Sequence, residues 1–572
     1  MKKPADTQAP VPAVACLALG LMLAQPLWAQ GPNNTPLREG TVKAAVAIDP
    51  GLFERQMSLI DKRRASWLEK AEQATPELIR TVKKPVAVIT VTNDPASFQG
   101  WKTGSAAAVM SVYDRPLKPG DSFILDFGEH LAGQLILSLR DFDIPVDAPV
   151  RLALVFGEVL AEVTEPFDPY TGGLTRAWLQ DETVNVDVVP QTVRLPRRYA
   201  FRYAKVTVVS CSTHGKFGFS GIQAEAVTSA DERKLLPFTP RDADEAALDR
   251  VARATLRDCM QTVFEDGPKR DRRLWLGDLR LQALANYATY RNYGLVKRSL
   301  YILAGTATDK GLVSTCALEQ PKPVRGGNSI LDYTALFAPT VLEYLEASGD
   351  RQTAEDLWPL VLKQLDFTLE PVNGEGLFIT PKGWWCFIDW HRTLDKQASE
   401  HAIVLFGLKA TQRLAEKLGR TTETAFIPEI VTRMESAARK HLWDESRGLF
   451  VSGPGREVSW ASQAWMTLAG VPSPEQTRRA MSGVIRLPSA EKPVTPYMNH
   501  YVVEALLAAG LKEDADRLLR DYWGGMLKKG ADTFWEVYVP GDDFLSPYKS
   551  HLMNSYCHAW SCTPTYLLRK QP

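Results

Sequence analysis

Between residues 85 and 209 the apolar positions fall in short runs, at 86–92, 134–139, 151–156, 183–189 and 203–209. Val206 and Val208 alternate with Lys205 and Thr207, the two-residue period of a strand with one buried face. Pro119-Gly120 and Gly172-Gly173 punctuate the runs as turns, so this half predicts an antiparallel β-sandwich. Residues 40–80 read as a helical or irregular lead-in. Beyond Pro240 the spacing becomes that of amphipathic helices, about twelve of them, starting near residues 241, 278, 296, 329, 351, 396, 427, 457, 474, 497, 512 and 553. Asp350 and Gly510 each separate two adjacent helical runs. Twelve helices paired as hairpins predict an (α/α)6 barrel. A solenoid of hairpins has the same count, so closure into a ring is an inference.

The first thirty residues stand apart. Lys2 and Lys3 precede a short apolar run at 11–24, and Leu27-Trp28-Ala29 is a small-residue exit, the layout of a signal peptide cleaved after Ala29. The run is too short to span a membrane, and no later stretch is long and apolar enough, so no membrane insertion is expected after cleavage. The expected product is periplasmic or secreted. At 572 residues, 45% hydrophobic and 23% charged, the chain has ordinary globular composition and room for more than one core. The predicted multidomain organisation is a signal peptide over 1–29, an N-terminal antiparallel β-sandwich over 30–239 and an all-α (α/α)6 barrel over 240–572. Lys plus Arg and Asp plus Glu both number 67, with no basic block, which argues against nucleic acid as a partner. Cys211, Cys259, Cys316, Cys386, Cys557 and Cys562 form no compact disulfide framework and read as buried free thiols.

Two connections between helices gather polar residues, where a rigid scaffold usually carries its chemistry. The first runs Glu265-Asp266-Gly267-Pro268-Lys269-Arg270-Asp271-Arg272-Arg273-Leu274-Trp275-Leu276-Gly277-Asp278. Gly267 and Pro268 break the preceding helix, and Asp278 is placed to cap the next. A solvated charged turn would have the same composition. Trp275 argues for more, since an indole beside so many charges is costly to expose unless a sugar face stacks on it. The second connection is Asp532-Thr533-Phe534-Trp535-Glu536-Val537-Tyr538. Its rings exclude water and suit a raised or tuned pKa for Glu536, although an interfacial Glu paired with an arginine fits the segment equally. Glycoside hydrolysis needs two such carboxylates, one to protonate the leaving oxygen and one to activate water.

Three tryptophans crowd Gly383-Trp384-Trp385-Cys386-Phe387-Ile388-Asp389-Trp390-His391, as core or as a carbohydrate-stacking wall; Asp389 and His391 favour the wall. His558, within Tyr556-Cys557-His558-Ala559-Trp560, is either a satisfied core histidine or a donor to a sugar hydroxyl. No G-x-S-x-G elbow, phosphate loop, H-E-x-x-H or dinucleotide fingerprint is present, and the eight histidines lack metal-ligand spacing. Neither cofactor nor metal is expected.

Asp266-x-Pro268-x-Arg270-Asp271-Arg272, running on to Trp275-x-Gly277-Asp278, resembles the active-site signature of the α-L-rhamnosidases of glycoside hydrolase family 78. Thr533-Phe534-Trp535-Glu536 is similar to the signature carrying that family's general base, Asp389-Trp390 to its aromatic substrate-contact motif, and His558 falls where it has a sugar-binding histidine. Asp126-Phe127-Gly128-Glu129 and Phe156-Gly157-Glu158 are similar to its β-sandwich modules, so the resemblance covers most of the mature chain. It implies an inverting hydrolase that releases terminal α-L-rhamnose, with Asp271 as general acid and Glu536 as general base. It also implies a sugar site formed by Asp266, Arg270, Trp275, Asp278, Trp385, Asp389, Trp390, Trp535 and His558. The chain departs from the family pattern at Gly267, where Cys is frequent, and at Asp271, where Glu is usual. A tryptophan often found in the family is not evident near Asp332-Tyr333, and the family's usual C-terminal β-sandwich does not follow the last predicted helix. The implied partner is a carbohydrate. A related (α/α)6 glycosidase, a polysaccharide lyase and a noncatalytic sugar-binding protein are the alternatives, the last disfavoured by retention of Asp271 and Glu536.

Overall fold

The computed structural model describes residues 40–570 apart from residues 148 and 328, so the segment read as a signal peptide lies outside the described residues. Strand Ser122–Asp141 is the spine of a nine-stranded antiparallel sheet. Along one edge it pairs with Tyr199–Ser210 and then Gln191–Arg194; along the other, with Ala87–Asn93 and then Phe217–Thr228. A register shift between Asp126 and Leu131, where Gly128 takes a φ of 78°, separates the two halves of this strand. Val150–Gly157 and Asp181–Val186 continue the sheet beyond Tyr199–Ser210. Leu152, Leu154 and Phe156 alternate inward to meet Leu135, Leu137, Phe201 and Val206 in one apolar core. Strands Ile79–Lys83 and Trp101–Ala107 escape the periodicity argument because nearly all their residues face solvent, which leaves no apolar alternation. The lead-in contains helix Leu52–Gln73, which buries Ile60 and Trp67 against the second half of the chain.

That half is a double ring of twelve helices among the described residues. Leu276–Ala288, Leu331–Ser348, Gln397–Leu418, Trp460–Leu468, Pro496–Ala508 and Pro564–Lys570 form the inner ring. Ala243–Cys259, Tyr293–Gly305, Arg351–Thr368, Ile427–Ala437, Pro474–Val484 and Lys512–Lys528 alternate with them on the outside. The inner helices are enclosed all round, as in Pro496–Ala508, where every residue from Pro496 to Leu506 is buried. Local chemistry marks the ends: Asp350 accepts from Thr353 N at 3.1 Å as an N-cap, and Gly349 just before it takes the left-handed conformation that ends the preceding helix.

The ring closes, which rules out the open solenoid. Pro564–Lys570 packs on both Ala243–Cys259 and Leu276–Ala288, and Tyr566 Oη donates to Glu504 at 3.1 Å. The helix expected from residue 553 starts only at Pro564. Before it the chain passes beside 533–536, with His558 N donating to Phe534 O at 2.9 Å and Glu536 N donating to Ser555 O at 3.0 Å. No described helix is long and apolar enough to cross a membrane. Cys211 is half-buried and the other five described cysteines are buried, all as free thiols.

The sheet domain seats directly behind the two polar connections. Phe98 stacks on Trp535 with ring centroids 4.2 Å apart, Arg198 Nη2 donates to Glu265 at 2.6 Å, and buried Lys269 pairs with Glu158 at 3.3 Å and with Glu162.

Candidate active site

A cavity of about 480 Å³ opens at the N-terminal ends of the inner helices. Trp275 and Asp278 reach it from the start of Leu276–Ala288, Ile330 and Tyr333 from the start of Leu331–Ser348, and His558 and Trp560 from the turn before Pro564–Lys570. Trp385, Phe387 and Trp390 precede Gln397–Leu418. Helix N-termini concentrate partial positive charge, which favours carboxylates in this position. Asp278 is not the helix cap that its place in the sequence suggests; it lies within the first turn, with Trp275 as the capping residue, and its carboxylate faces the cavity.

The first connection is folded by its own aspartate. Both Asp266 oxygens accept backbone N–H groups, from Asp271 at 3.1 Å and Arg273 at 3.0 Å. A Cβ on Gly267 would meet Arg270 O at 2.5 Å and Ser555 Oγ at 2.7 Å, which explains the glycine at this position. A Cβ on Gly277 would run into the Tyr333 ring at 2.3 Å, so the missing side chain makes room for a tyrosine in the cavity wall.

Arg270 is buried and joins the two connections. Its Nε donates to Met553 O at 2.6 Å, Nη1 stands 3.5 Å from Asp271 Oδ1, and Nη2 donates to Glu536 Oε2. The second Glu536 oxygen accepts from Tyr548 Oη, and the Tyr548 ring lies beneath the guanidinium, 4.1 Å away. Glu536 therefore has the arginine partner that the aromatic segment left open. Burial pushes its pKa up, but Arg270, His558 and the Tyr548 hydrogen bond outweigh burial and hold it below the usual carboxylate range. The raised value that its aromatic surroundings suit is thus reversed by a charge 266 residues away in the chain.

The other carboxyls shift the opposite way. Burial and then the neighbouring Asp271 charge push Asp266 up to about 7. Asp278 is raised by burial, against opposition from His558. Burial lowers His558, yet Glu536 and Asp278 overcome that effect and leave it raised. Asp278 Oδ1 stands 3.3 Å from His558 Nε2, outside hydrogen-bond geometry. Both nitrogens of His558, Asp278 Oδ1 and Trp390 Nε1 have no hydrogen-bond partner among the described residues.

Of the residues implied by the resemblance, Asp266, Arg270, Asp271, Trp275, Asp278, Trp385, Trp390, Glu536 and His558 meet in this cavity. Two do not. Asp389 accepts from Val494 N at 2.8 Å and from Thr495 Oγ1 at 2.5 Å, bracing the wall behind Trp390. Trp535 points away from Glu536 into the interdomain contact with Phe98. Both lie next to a cavity residue in sequence, on irregular backbone where the packing partners, Thr495 and Phe98, set the direction of the side chain. Tyr333, Phe387, Tyr548 and Trp560 line the cavity but are missing from the sequence-based set. Tyr333 had a signal, since it stands where a tryptophan is expected; Tyr548, in a polar Ser546-Pro547-Tyr548-Lys549 turn, had none.

Paired carboxylates around a buried arginine, in an indole-lined cavity of a closed helical ring, define a barrel-type glycosidase. Residues 85–226 match the profile of the glycosyl hydrolase family 78 alpha-rhamnosidase N-terminal domain, and residues 238–571 that of the bacterial alpha-L-rhamnosidase 6 hairpin glycosidase domain. The chain belongs to the bacterial α-L-rhamnosidases of glycosyl hydrolase family 78. It is a glycoside hydrolase that acts on α-L-rhamnosides.

Among solved structures, a rhamnosidase from Klebsiella oxytoca with rhamnose bound shares 42% identity and superposes with a TM-score of 0.86, over 88% of this chain and 98% of that one. A family 78 rhamnosidase of Bacillus sp. GL1 shares 23% identity with a TM-score of 0.70, over 82% of this chain and 49% of that one. The Streptomyces avermitilis α-L-rhamnosidase complexed with L-rhamnose shares 18% identity with a TM-score of 0.62, over 86% of this chain and 44% of that one. This chain thus spans nearly the whole Klebsiella chain and about half of the other two. No curated protein sequence matches it.

Proposed function

We propose that the chain is exported behind residues 1–29 to the periplasm or medium, and that it cleaves terminal α-L-rhamnosides with inversion, Asp271 acting as general acid and Glu536 as general base. The observation that carries this reading is Arg270. One guanidinium contacts both carboxylates, so a cation stands between them instead of direct contact. Keeping the carboxylates apart is what an inverting pair requires, since roughly 6.5 to 9.5 Å between them admits a water. Arg270 keeps Glu536 ionised and able to take a proton from that water. Asp271 is the more open of the two, as a donor to the departing oxygen must be. Asp278, His558 and Trp390 offer the sugar their unpartnered polar atoms, and Trp275 and Trp385 offer ring faces. The rhamnose bound to the Klebsiella neighbour supports the choice of sugar.

One observation favours a second assignment of the acid. Asp266, at about 7, holds a proton near neutrality far better than an ordinary carboxyl. Both its oxygens, however, already accept backbone N–H groups of the connection, which ties it to the fold of the loop.

The stereochemical course is the direct test. NMR in the first minutes of hydrolysis of an α-L-rhamnoside is expected to show β-L-rhamnose before mutarotation mixes the anomers. Early α-L-rhamnose, or a glycosyl adduct on Glu536, would replace the base with a nucleophile. A second measurement concerns Tyr548. Tyr548→Phe keeps the ring against Arg270 and removes the hydroxyl that donates to Glu536. Loss of a hydrogen bond to the charged form raises the Glu536 pKa, so the acidic limb of the kcat/KM profile should move to higher pH, with kcat reduced about tenfold. An unmoved limb would mean that Tyr548 only packs.

A further inference from the structure

The cavity has a floor and a rim of different character. Asp266, Arg270, Asp278, Tyr333, Glu536 and His558 are buried, whereas Gly173, Leu174, Arg273, Pro547 and Lys549 are partly or fully exposed. On the floor the arginine is matched by Met553 O and two carboxylates, which leaves a site for one uncharged sugar. At about 480 Å³ the whole cavity lies in the range that encloses a drug-sized ligand, more than one sugar ring.

The rim is cationic and only loosely matched. In the first connection Lys269, Arg270 and Arg272 all donate to protein acceptors, but the Arg273 guanidinium donates a hydrogen bond to none among the described residues; it makes only a long ion pair with Asp271 Oδ2, 3.8 Å away. Lys549 lies within ion-pair distance of no carboxylate among the described residues. Its backbone is held at a φ of 63°, a left-handed conformation that disfavours lysine. The turn that imposes this is fastened on both sides. Tyr548 N donates to Ser546 Oγ at 3.1 Å, Ser546 Oγ donates to Ser550 O at 2.8 Å, and Gly173 N of the sheet domain donates to Tyr548 O at 2.7 Å. Leu174, next to that glycine, and Pro547 add apolar surface for a ring face.

We propose that this rim, built jointly by the sheet domain and the barrel, is an aglycone subsite for an anionic sugar, a uronate whose carboxylate is met by Lys549 and Arg273. The proposal rests on the rhamnoside-hydrolase reading of the floor and names the class of residue to which the rhamnose is attached. Nothing in the chemistry changes: the bond to rhamnose breaks as before, and the uronate leaves with the proton supplied by the acid.

The test compares three substrates: an α-L-rhamnosyl glucuronate disaccharide, its neutral methyl ester, and a neutral aryl α-L-rhamnoside. At low salt the free acid is expected to have a kcat/KM about fivefold above that of its ester, the size of a partly exposed ion pair, and the ratio should approach one at high salt. Lys549→Gln and Arg273→Gln should each lower the acid-to-ester ratio, and Lys549→Glu should bring it below one; reading the ratio cancels any effect common to both substrates. A wild-type ratio near one at low salt, or a ratio that survives Lys549→Glu, overturns the subsite. Failure to turn over the aryl rhamnoside would instead remove the reading of the floor, so the two failures are distinguishable.

Discussion

Glu536→Gln is expected to reduce turnover by roughly 10² or more while leaving a folded protein that still binds rhamnose. Glutamine keeps the size and lets the carbonyl face Arg270 with the amide facing Tyr548 Oη, but it cannot take a proton from water. It also leaves the buried Arg270 with Asp271, at 3.5 Å, as its one remaining ion-pair partner among the described residues, so some stability is lost as well. Thermal unfolding, rhamnose binding by calorimetry and turnover, measured on one preparation, separate the two effects. If turnover stays near the wild-type level while the protein remains folded, Glu536 is not the base.

Asp271→Asn should produce the second large effect, and its size should depend on the leaving group. A natural sugar or alkyl leaving group needs its oxygen protonated, so kcat/KM is expected to fall by roughly 10² to 10⁴; a dinitrophenyl rhamnoside needs little proton assistance and should lose far less. The substitution also removes one of the three influences that raise Asp266, the others being burial and Asp278, so the Asp266 pKa should fall. If Asp266 were the donor, the alkaline limb would then move to lower pH and both kinds of substrate would suffer alike. Comparing the two substrates across pH decides between the carboxyls.

The departure at Asp271 can be understood in the same terms. Aspartate is one methylene shorter than glutamate, and this connection is drawn tight by Asp266 and by a glycine with no room for a side chain. A short carboxyl, on backbone that Asp266 fastens close to Arg270, replaces a longer one.

Local chemistry along the chain was enough to establish much of this protein. The change from a two-residue to a helical period at Pro240 separates sheet from barrel, because burial of one face dictates each period. Eleven of the twelve helix starts follow from apolar spacing and from caps such as Asp350, which act within a few residues of themselves. The two polar connections, and with them Asp271 and Glu536, stand out for the same reason: charge and aromatic crowding are properties of a short segment. What remained for the tertiary structure depends on partners far apart in the chain. Closure of the ring rests on Pro564–Lys570 meeting Ala243–Cys259. The ionisation of Glu536 rests on Arg270 and Tyr548, which no periodicity connects to it. Asp389 and Trp535, adjacent to cavity residues in sequence, face Thr495 and Phe98 instead, since the direction of a side chain on irregular backbone is set by what packs around it. The contribution of Gly173 and Leu174 to the cavity is decided only by the docking of the sheet domain onto the barrel, through contacts that have no local signature.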